Sequence, residues 1–574
     1  MKKNNIYHLN KNSIIGIYLP ILLIAISIFF LFWNLDGDPS ILKRYGDYGD
    51  EGYWVQNSIN KILHGTFLTD DQSQSFFGAP LYNQILTLQF NIFGVSFFSA
   101  RLISIIFLFL TVIVLYFILI SQIKNKNYIL LYIAAFLLLF DNKLYYQWAT
   151  PVPVEVFFQS LVILFLIKYK LDNYKTTILV ILLMYLSILS KTTSIWLIGF
   201  VLIIFLLDNF NMNNISITKK LILKLLFFSI ICITPFLLLN YYFATIEPDK
   251  FASFTQLLKQ NVGLNKTIFY NFLNPIYYLQ QLTQILKFPN SFFLLIMPLT
   301  IVIFIGFSRL KNKMFLFSEN RVYLVLFTYV LVFIIFLLLI GQFGYDRRQI
   351  NLIFPLYVIS VLLYDKFLNK EIKFKYILFL CVLFIVISIL QFKHLWQCIS
   401  MSRSLGLSSQ SKLIVVLIVL FYFLISCYFI FRYKLKFLFV NFIFLNIIFH
   451  FIFINNDHSL IDANKKIKEV TEKYNAKFIT GYAAHHLAVE SNVIPIWWLD
   501  KSLGYPSWNI NFPLFSKANP TLIITDLQLN KSCGYFPLKN IPHGFSIIES
   551  DTLFCFRNKF TNCYTDTLIM HVVQ

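Results

Sequence analysis

The chain reads as a polytopic α-helical membrane protein with a small α/β domain at its C-terminal end, and three observations predict it. Of its 574 residues, 58% are hydrophobic and only 13% are charged, and the mean hydropathy is +0.69. A soluble protein of this size could not hide that much apolar surface. The apolar stretches run about 15 to 22 residues, the length of spanning helices, whereas barrel strands need only ~9–11. Basic residues then recur on alternate connections: Lys124 and Lys126; Lys168, Lys170 and Lys175; Lys219 and Lys220; Arg309, Lys311, Lys313 and Arg321; Lys366, Lys370, Lys373 and Lys375; Arg432, Lys434 and Lys436. That alternation is the positive-inside pattern, so the net charge of +21 reports topology and no nucleic-acid partner is expected.

In chain order, spans are expected near 13–33, 100–121, 128–141, 152–168, 176–190, 193–208, 221–243, 291–308, 322–341, 350–364, 376–391, 413–431 and 437–454. The first follows a basic, Asn-rich start and precedes no small-residue cleavage site, so it reads as a signal anchor with a cytoplasmic N-terminus. An odd count of about thirteen sends the C-terminus to the outside. Heavy use of Phe, Ile, Lys and Asn suggests an AT-rich bacterial genome, and the expected location is the inner membrane of a bacterium.

Three outer segments are too long to be turns: 34–98, 244–290 and the tail. The expected division is a membrane domain over 1–454 and a soluble periplasmic α/β domain over 455–574. In the tail the pattern predicts a helix over 462–473, strands at 477–480, 493–498 and 521–525, and a hairpin of 545–549 with 552–557 turning at Ser550-Asp551. One disulfide among Cys533, Cys555 and Cys563 fits an oxidising compartment, with the pairing open. His485-His486 is an adjacent pair with no cysteine nearby, and reads as surface polarity.

The first outer loop holds the densest polar chemistry. It contains Arg44, Asp47, Asp50, Glu51, Tyr53 and Trp54, in a chain that otherwise avoids charge. Acids beside a bilayer are costly unless they serve chemistry or an ion. Val55, Ile59 and Ile62 recur at helical spacing with Gln56, Asn57 and Asn60 opposite, which predicts an amphipathic helix lying on the membrane, capped by Asp47 or Asp50 and stopped at Gly65. A second amphipathic helix is expected from Ile85, Leu88 and Ile92. Joined through Asp70-Asp71, the two helices would fold into a cap over the membrane bundle.

Asp50-Glu51-Gly52-Tyr53, Gly65-Thr66-Phe67, the acids at Asp70 and Asp71, Pro80-Leu81-Tyr82, Phe93-Gly94-Val95-Ser96 and Ser99-Ala100-Arg101-Leu102 together resemble the first periplasmic loop of GT-C glycosyltransferases. The branch resembled is that of protein O-mannosyltransferases and the lipid A aminoarabinose transferase. The stretch 186–192 (Leu-Ser-Ile-Leu-Ser-Lys-Thr) resembles the family's lysine turn, and Tyr345-Asp346-Arg347-Arg348 followed by Pro355 its late Asp-Arg segment. Order and spacing match over roughly 13–365. Ala79 stands where the family has the first proline of a Pro-Pro-Leu run, and 72–78 separates it from the acids.

The resemblance implies transfer of a sugar from a polyprenyl-phosphate donor to a lipid, glycan or protein acceptor. Such a reaction needs a base for the acceptor's proton, cations for the leaving phosphate, and an apolar groove for the lipid tail. Asp50 is the expected base and Glu51 the second candidate. Lys191, Arg347 and Arg348 are the expected phosphate ligands, with snorkelling to lipid headgroups as the alternative. Asp47, Tyr53, Asp70 and Asp71 are expected to orient acceptor or loop, while Arg101 and Arg44 are weaker phosphate candidates and Arg101 serves equally as a loop anchor. A divalent ion, Mg²⁺ or Mn²⁺, could sit on Asp50 and Glu51 with the neighbouring acids. Two other readings stay open. An O-antigen polymerase or ligase would put its large active loop late in the chain. A transporter or flippase would show mid-span charges and related halves.

Overall fold

The computed structural model describes residues 11–37, 45–67, 75–123, 126–209, 219–246, 321–339, 346–367, 459–481, 484–496, 521–526, 547–556 and 566–573, with separate helical residues between 413 and 451. The membrane portion begins with α1 (Lys11–Phe32). Three helices follow in the first long connection: α2 (Tyr45–His64), α3 (Ser75–Gly78) and α4 (Pro80–Phe93). The bundle continues with α5 (Phe97–Gln122), α6 (Ile129–Leu137), α7 (Phe140–Tyr146), α8 (Val152–Lys168) and α9 (Tyr174–Ser190). A 3-10 turn over Thr192–Trp196 leads into α10 (Leu197–Asn209). Then come α11 (Lys219–Ile246), α12 (Arg321–Leu339) and α13 (Asp346–Phe367).

These helices fall where hydropathy puts them. Among the described residues four are long and apolar enough to cross a membrane: Phe97–Gln122, Thr192–Asn209, Ile222–Tyr242 and Arg321–Leu339. Expected spans at 291–308 and 376–391, and the second long loop from 247 to 290, lie outside the described residues, while 244–246 continue α11. The expected single span at 128–141 is instead two helices, α6 and α7, broken at Leu138-Leu139. Polar side chains take up the backbone groups freed there. Asn142 Nδ2 donates to Phe136 O at 2.5 Å, and Asn446 Oδ1 accepts from Phe140 N–H at 2.8 Å. A break in a buried helix is tolerated when its orphan groups are satisfied in this way. Around the break, His450 stacks on Phe30 of α1 at 4.6 Å, and Lys143 Nζ lies 5.6 Å from the same ring.

Helix ends in the first loop have local causes. Gly65 (φ 75°) and Gly94 (φ 78°) take left-handed conformations just past α2 and α4, where a Cβ would be strained. Ser96 caps α5 by accepting from Ser99 N–H at 3.0 Å.

The membrane-surface reading of α2 needs correction. Val55 and Ile59 are buried as expected, but so are Gln56, Asn57, Ser58 and Asn60. The helix begins at Tyr45, so Asp47 and Asp50 lie within its first two turns and neither is its cap residue. Its polar face is spent inside the protein. Asn57 donates to Phe67 O (2.7 Å) and accepts from Phe76 N–H (2.8 Å), while Ser58 Oγ donates to Asn83 O (2.9 Å). Buried polar groups paired like this cost little, and they fix the pairing of α2 with α3 and α4. On α4 the two faces divide otherwise. Tyr82, Leu86 and Phe90 are buried, whereas Leu88 and Ile92 remain exposed as an apolar stripe.

The tail folds as α14 (Ser459–Tyr474), β1 (Phe478–Gly481), α15 (Ala484–Leu487), β2 (Ile494–Ile496), β3 (Thr521–Asp526), β4 (Ile547–Phe556) and β5 (Asp566–Val573). The strands form one mixed sheet in the order β2-β1-β3-β5-β4. β1 is parallel to β2 and β3, and β5 is antiparallel to β3 and β4. The expected hairpin at Ser550-Asp551 is a correction: β4 runs straight through, with Ser550 opposite His571 and Asp551 opposite Met570. A two-residue turn wants Asn-Gly or Asp-Gly, and β5 supplies a full-length partner instead. The side chains of the expected disulfide cysteines lie outside the described residues.

Among the described residues two apolar cores form. One fills the helical bundle around α5, α6, α8, α10, α12 and α13. The other is shared: Val55, Ile59, Tyr82, Leu86 and Phe90 of the first loop pack with Leu460, Ile467, Ile479, Leu487 and Val572 of the tail.

Candidate active site

Glu51, in the second turn of α2, points into the protein and is 1% exposed. Arg101, in the second turn of α5, meets it with two parallel bonds: Nε to Oε1 at 2.7 Å and Nη2 to Oε2 at 2.9 Å. Ala149 N–H donates to Oε1 at 2.9 Å, and His486 Nε2 stands 3.6 Å from Oε2. The remaining guanidinium nitrogen donates to Leu35 O (2.9 Å) and Gly37 O (2.5 Å), fixing the chain as it leaves α1. Burial pushes the Glu51 carboxyl up, but the Arg101 guanidinium outweighs it. With His486 and the Ala149 amide, it holds the group below the usual carboxylate range. The pair thus ties together α1, α2, α5, the α7–α8 connection and the tail. Its oxygens are already occupied by donors, a poor setting for a metal ligand or a proton acceptor.

Nearby contacts reinforce the same end of the bundle. Gln147 Nε2 donates to Leu31 O at 3.0 Å, filling carbonyls left open where α1 stops. Ser104 Oγ donates to Trp148 O at 2.6 Å. Tyr53 packs on Trp54 and faces His485 at ring distances of 5.4 and 6.3 Å, and burial pushes its phenol up to about 12. Expected as surface polarity, His485 and His486 are both buried; the correction follows from α15 docking on α2. Burial lowers the His485 ring to about 4.

A second buried carboxylate lies in the first turn of α8. Glu155 Oε1 accepts from Ser194 Oγ (2.5 Å), Gln159 Nε2 (3.1 Å) and Asn351 Nδ2 (3.1 Å). Among the described residues Oε2 has no hydrogen-bond donor, and the Lys191 ammonium stands 4.0 Å from it. Lys191 ends α9 and is 12% exposed, against 1% for Glu155. Tyr329 of α12 donates to Gln159 Oε1 at 2.5 Å, and Trp196 packs edge-on against its ring at 4.9 Å. Asn351 is one helical turn beyond Arg347 on α13. The fold therefore brings the lysine turn and the start of the arginine helix to one place.

Of the other expected residues, Asp47 and Asp50 stand three apart on α2 and share a face, and Arg347 and Arg348 lie in the first turn of α13. The side chains of these four are outside the described residues, as are Asp70, Asp71 and Arg44. Among the described residues no group of three or more His, Cys, Asp or Glu side chains converges as a metal site. Glu155 and Asn351 escaped the sequence reading, because both lie inside stretches read as spans. The available signal was a lone acid following Pro151 and Pro153 in an otherwise apolar run.

No protein-family model matches the chain, and no curated protein sequence matches it. Solved structures do. ArnT from Cupriavidus metallidurans bound to undecaprenyl phosphate superposes with a TM-score of 0.56 at 11% identity, covering 96% of this chain and 98% of that one. The apo state of the same protein gives the same values, TM-score 0.56, 11% identity and coverage of 96% and 98%. The Archaeoglobus fulgidus oligosaccharyltransferase in its apo form gives a TM-score of 0.43 at 10% identity, covering 89% of this chain and 69% of that one. The chain is a membrane protein with the fold of ArnT, a GT-C glycosyltransferase, along nearly its whole length.

Proposed function

We propose that this protein is an integral membrane glycosyltransferase that moves a sugar from a polyprenyl-phosphate donor to a lipid, glycan or protein acceptor. The observation that carries this reading is the near full-length likeness to ArnT, solved with undecaprenyl phosphate. Two further arrangements support it. The acid-bearing start of α2 and the Lys191 turn both lie at the end of the bundle where α1 stops and α5 begins. Lys191 is also partly exposed, with the Glu155 carboxylate 4.0 Å from its ammonium.

In this reading Asp50 takes the proton of the acceptor, and Asp47 orients it. The bond between the sugar's anomeric carbon and the carrier phosphate breaks, and the new bond forms to the acceptor. Lys191, Arg347 and Arg348 receive the leaving phosphate. Glu51 serves as an anchor that sets the pose of α2, since Arg101 and Ala149 occupy its oxygens. A divalent ion, if used, would rest on Asp47 and Asp50 and would polarise the phosphate. The topology proposed with it has about thirteen spans. Its N-terminus is cytoplasmic, and the tail from 455 stands outside the inner membrane with the reactive end of the bundle.

The test is release of polyprenyl phosphate from a panel of synthetic polyprenyl-phosphate sugars by purified protein. A membrane extract supplies acceptor, and Asp50→Asn and EDTA form the comparison arms. Release by wild type and not by Asp50→Asn supports the assignment, and EDTA sensitivity reports the metal. No release from any donor, or equal release by the variant, removes it.

A further inference from the structure

The tail contributes seven residues, 484–490, that contact Glu51 and the first residue of the helix carrying Arg101. Gly52, next to Glu51, has the tail backbone directly against it. A Cβ there would fall well inside contact distance of the His485 carbonyl and the His486 nitrogen. Those are backbone atoms, which cannot swing aside, so this approach of α15 to α2 requires glycine. Next to it, the His486 ring is fully buried, packs on Phe97 at 5.0 Å and faces Glu51 Oε2 at 3.6 Å. Farther on, Glu490 Oε1 accepts from Phe97 N–H at 2.8 Å. That bond fills an orphan donor at the start of α5 and sets a negative charge at the helix's positive end. The tail stretch is itself held: Asn464 of α14 accepts from Glu490 N–H at 3.0 Å and donates to Leu460 O at 2.9 Å.

We propose that residues 484–490 form a positioning clasp. It sets the start of α2, and with it Asp47 and Asp50, against α5. His486 and Glu490 are positioning residues: one acts through Glu51, the other through the helix that carries Arg101. The tail is then part of the machinery of transfer even where it touches no substrate. This rests on the transferase reading for what Asp50 does, and on geometry alone for the clasp.

The experiment uses the full chain in lipid nanodiscs, as wild type, Gly52→Ala, His486→Phe, His486→Gln and Glu490→Gln. Two readouts are taken: hydrogen–deuterium exchange of residues 45–64, and kcat and KM for whichever polyprenyl-phosphate sugar the wild type uses. Gly52→Ala is expected to raise exchange over 45–52 by about tenfold. It should lower kcat about a hundredfold while leaving donor KM within about twofold, because the phosphate grip is elsewhere. His486→Phe keeps the ring on Phe97 but loses the nitrogen facing Glu51, and should lower kcat about tenfold. His486→Gln should recover part of that loss, which a purely space-filling role would not allow. Unchanged exchange over 45–52 in every variant that folds overturns the clasp. So does raised exchange with unchanged kcat. If exchange rises in the variants while wild type releases phosphate from no donor, the clasp stands and the transferase reading falls.

Discussion

Two buried carboxylates at one end of this molecule make opposite use of their charge. Glu51 meets a guanidinium bidentately, accepts a backbone amide and has a histidine beside it. Among the described residues Glu155 has three neutral donors on one oxygen, none on the other, and an ammonium 4.0 Å away. The first arrangement is closed, and its product is rigidity among α1, α2, α5 and the tail. The second leaves one oxygen without a hydrogen-bond donor among the described residues, beside an ammonium that is 12% exposed. Burial alone therefore does not say how an acid is held; the count and geometry of its donors do.

The largest effect expected from breaking this comparison is on stability. Arg101→Met leaves Glu51 buried without its cation, and should destabilise the protein by about 3–5 kcal/mol. Thermal unfolding in detergent would measure it. In wild type the Glu51 carboxyl is depressed, so its contribution is present above the unfolded value near 4.5 and is lost as pH falls through the lower folded value. In Arg101→Met burial, the largest influence, is opposed only by His486 and the Ala149 amide, so the sign reverses and the penalty should shrink as pH drops toward 5. A penalty independent of pH would mean that the pair is not what holds this end together.

Lys191→Met should do the reverse, lowering transfer at least about a hundredfold while changing stability by less than about 1 kcal/mol. A large loss of melting temperature with normal transfer would make Lys191 structural and erase the contrast. Glu155→Gln keeps an acceptor oxygen for Ser194, Gln159 and Asn351 but removes the charge beside Lys191. It should change donor KM by about threefold to tenfold with little change in unfolding. The smallest effect is a control: Ser96→Ala removes the cap of α5 and should cost about 1 kcal/mol with transfer unaffected.

How much of this was legible beforehand follows the range of the interactions. Span positions were legible wherever hydropathy alone decides, as in α8, expected at 152–168 and found at Val152–Lys168. Gly65 and Gly94 stop their helices for a reason contained in one residue. The tail helix and its first strands were legible from local periodicity. The partner of Glu51, by contrast, lies 50 residues away, and Asn351 reaches Glu155 across 196. The polar face of α2 looked like a water-facing surface because a helical pattern records which residues share a face and not what covers that face. The same blindness made His485-His486 look exposed, and made β4 look like a hairpin before β5 was known to pair with it.

The sequence by itself determined that this is a chain of apolar helices and where most of the described ones begin and end. Each of those follows from the free energy of transferring side chains and backbone between water and lipid, a sum over neighbouring residues. The tertiary structure alone decided that Glu51 meets Arg101, that Glu155 stands beside Lys191 and accepts from Asn351 of the arginine helix, and that the tail backbone rests on Gly52. Those depend on which donors and surfaces arrive from distant parts of the chain. In a dry interior, the number and placement of those donors decide how a buried charge is held.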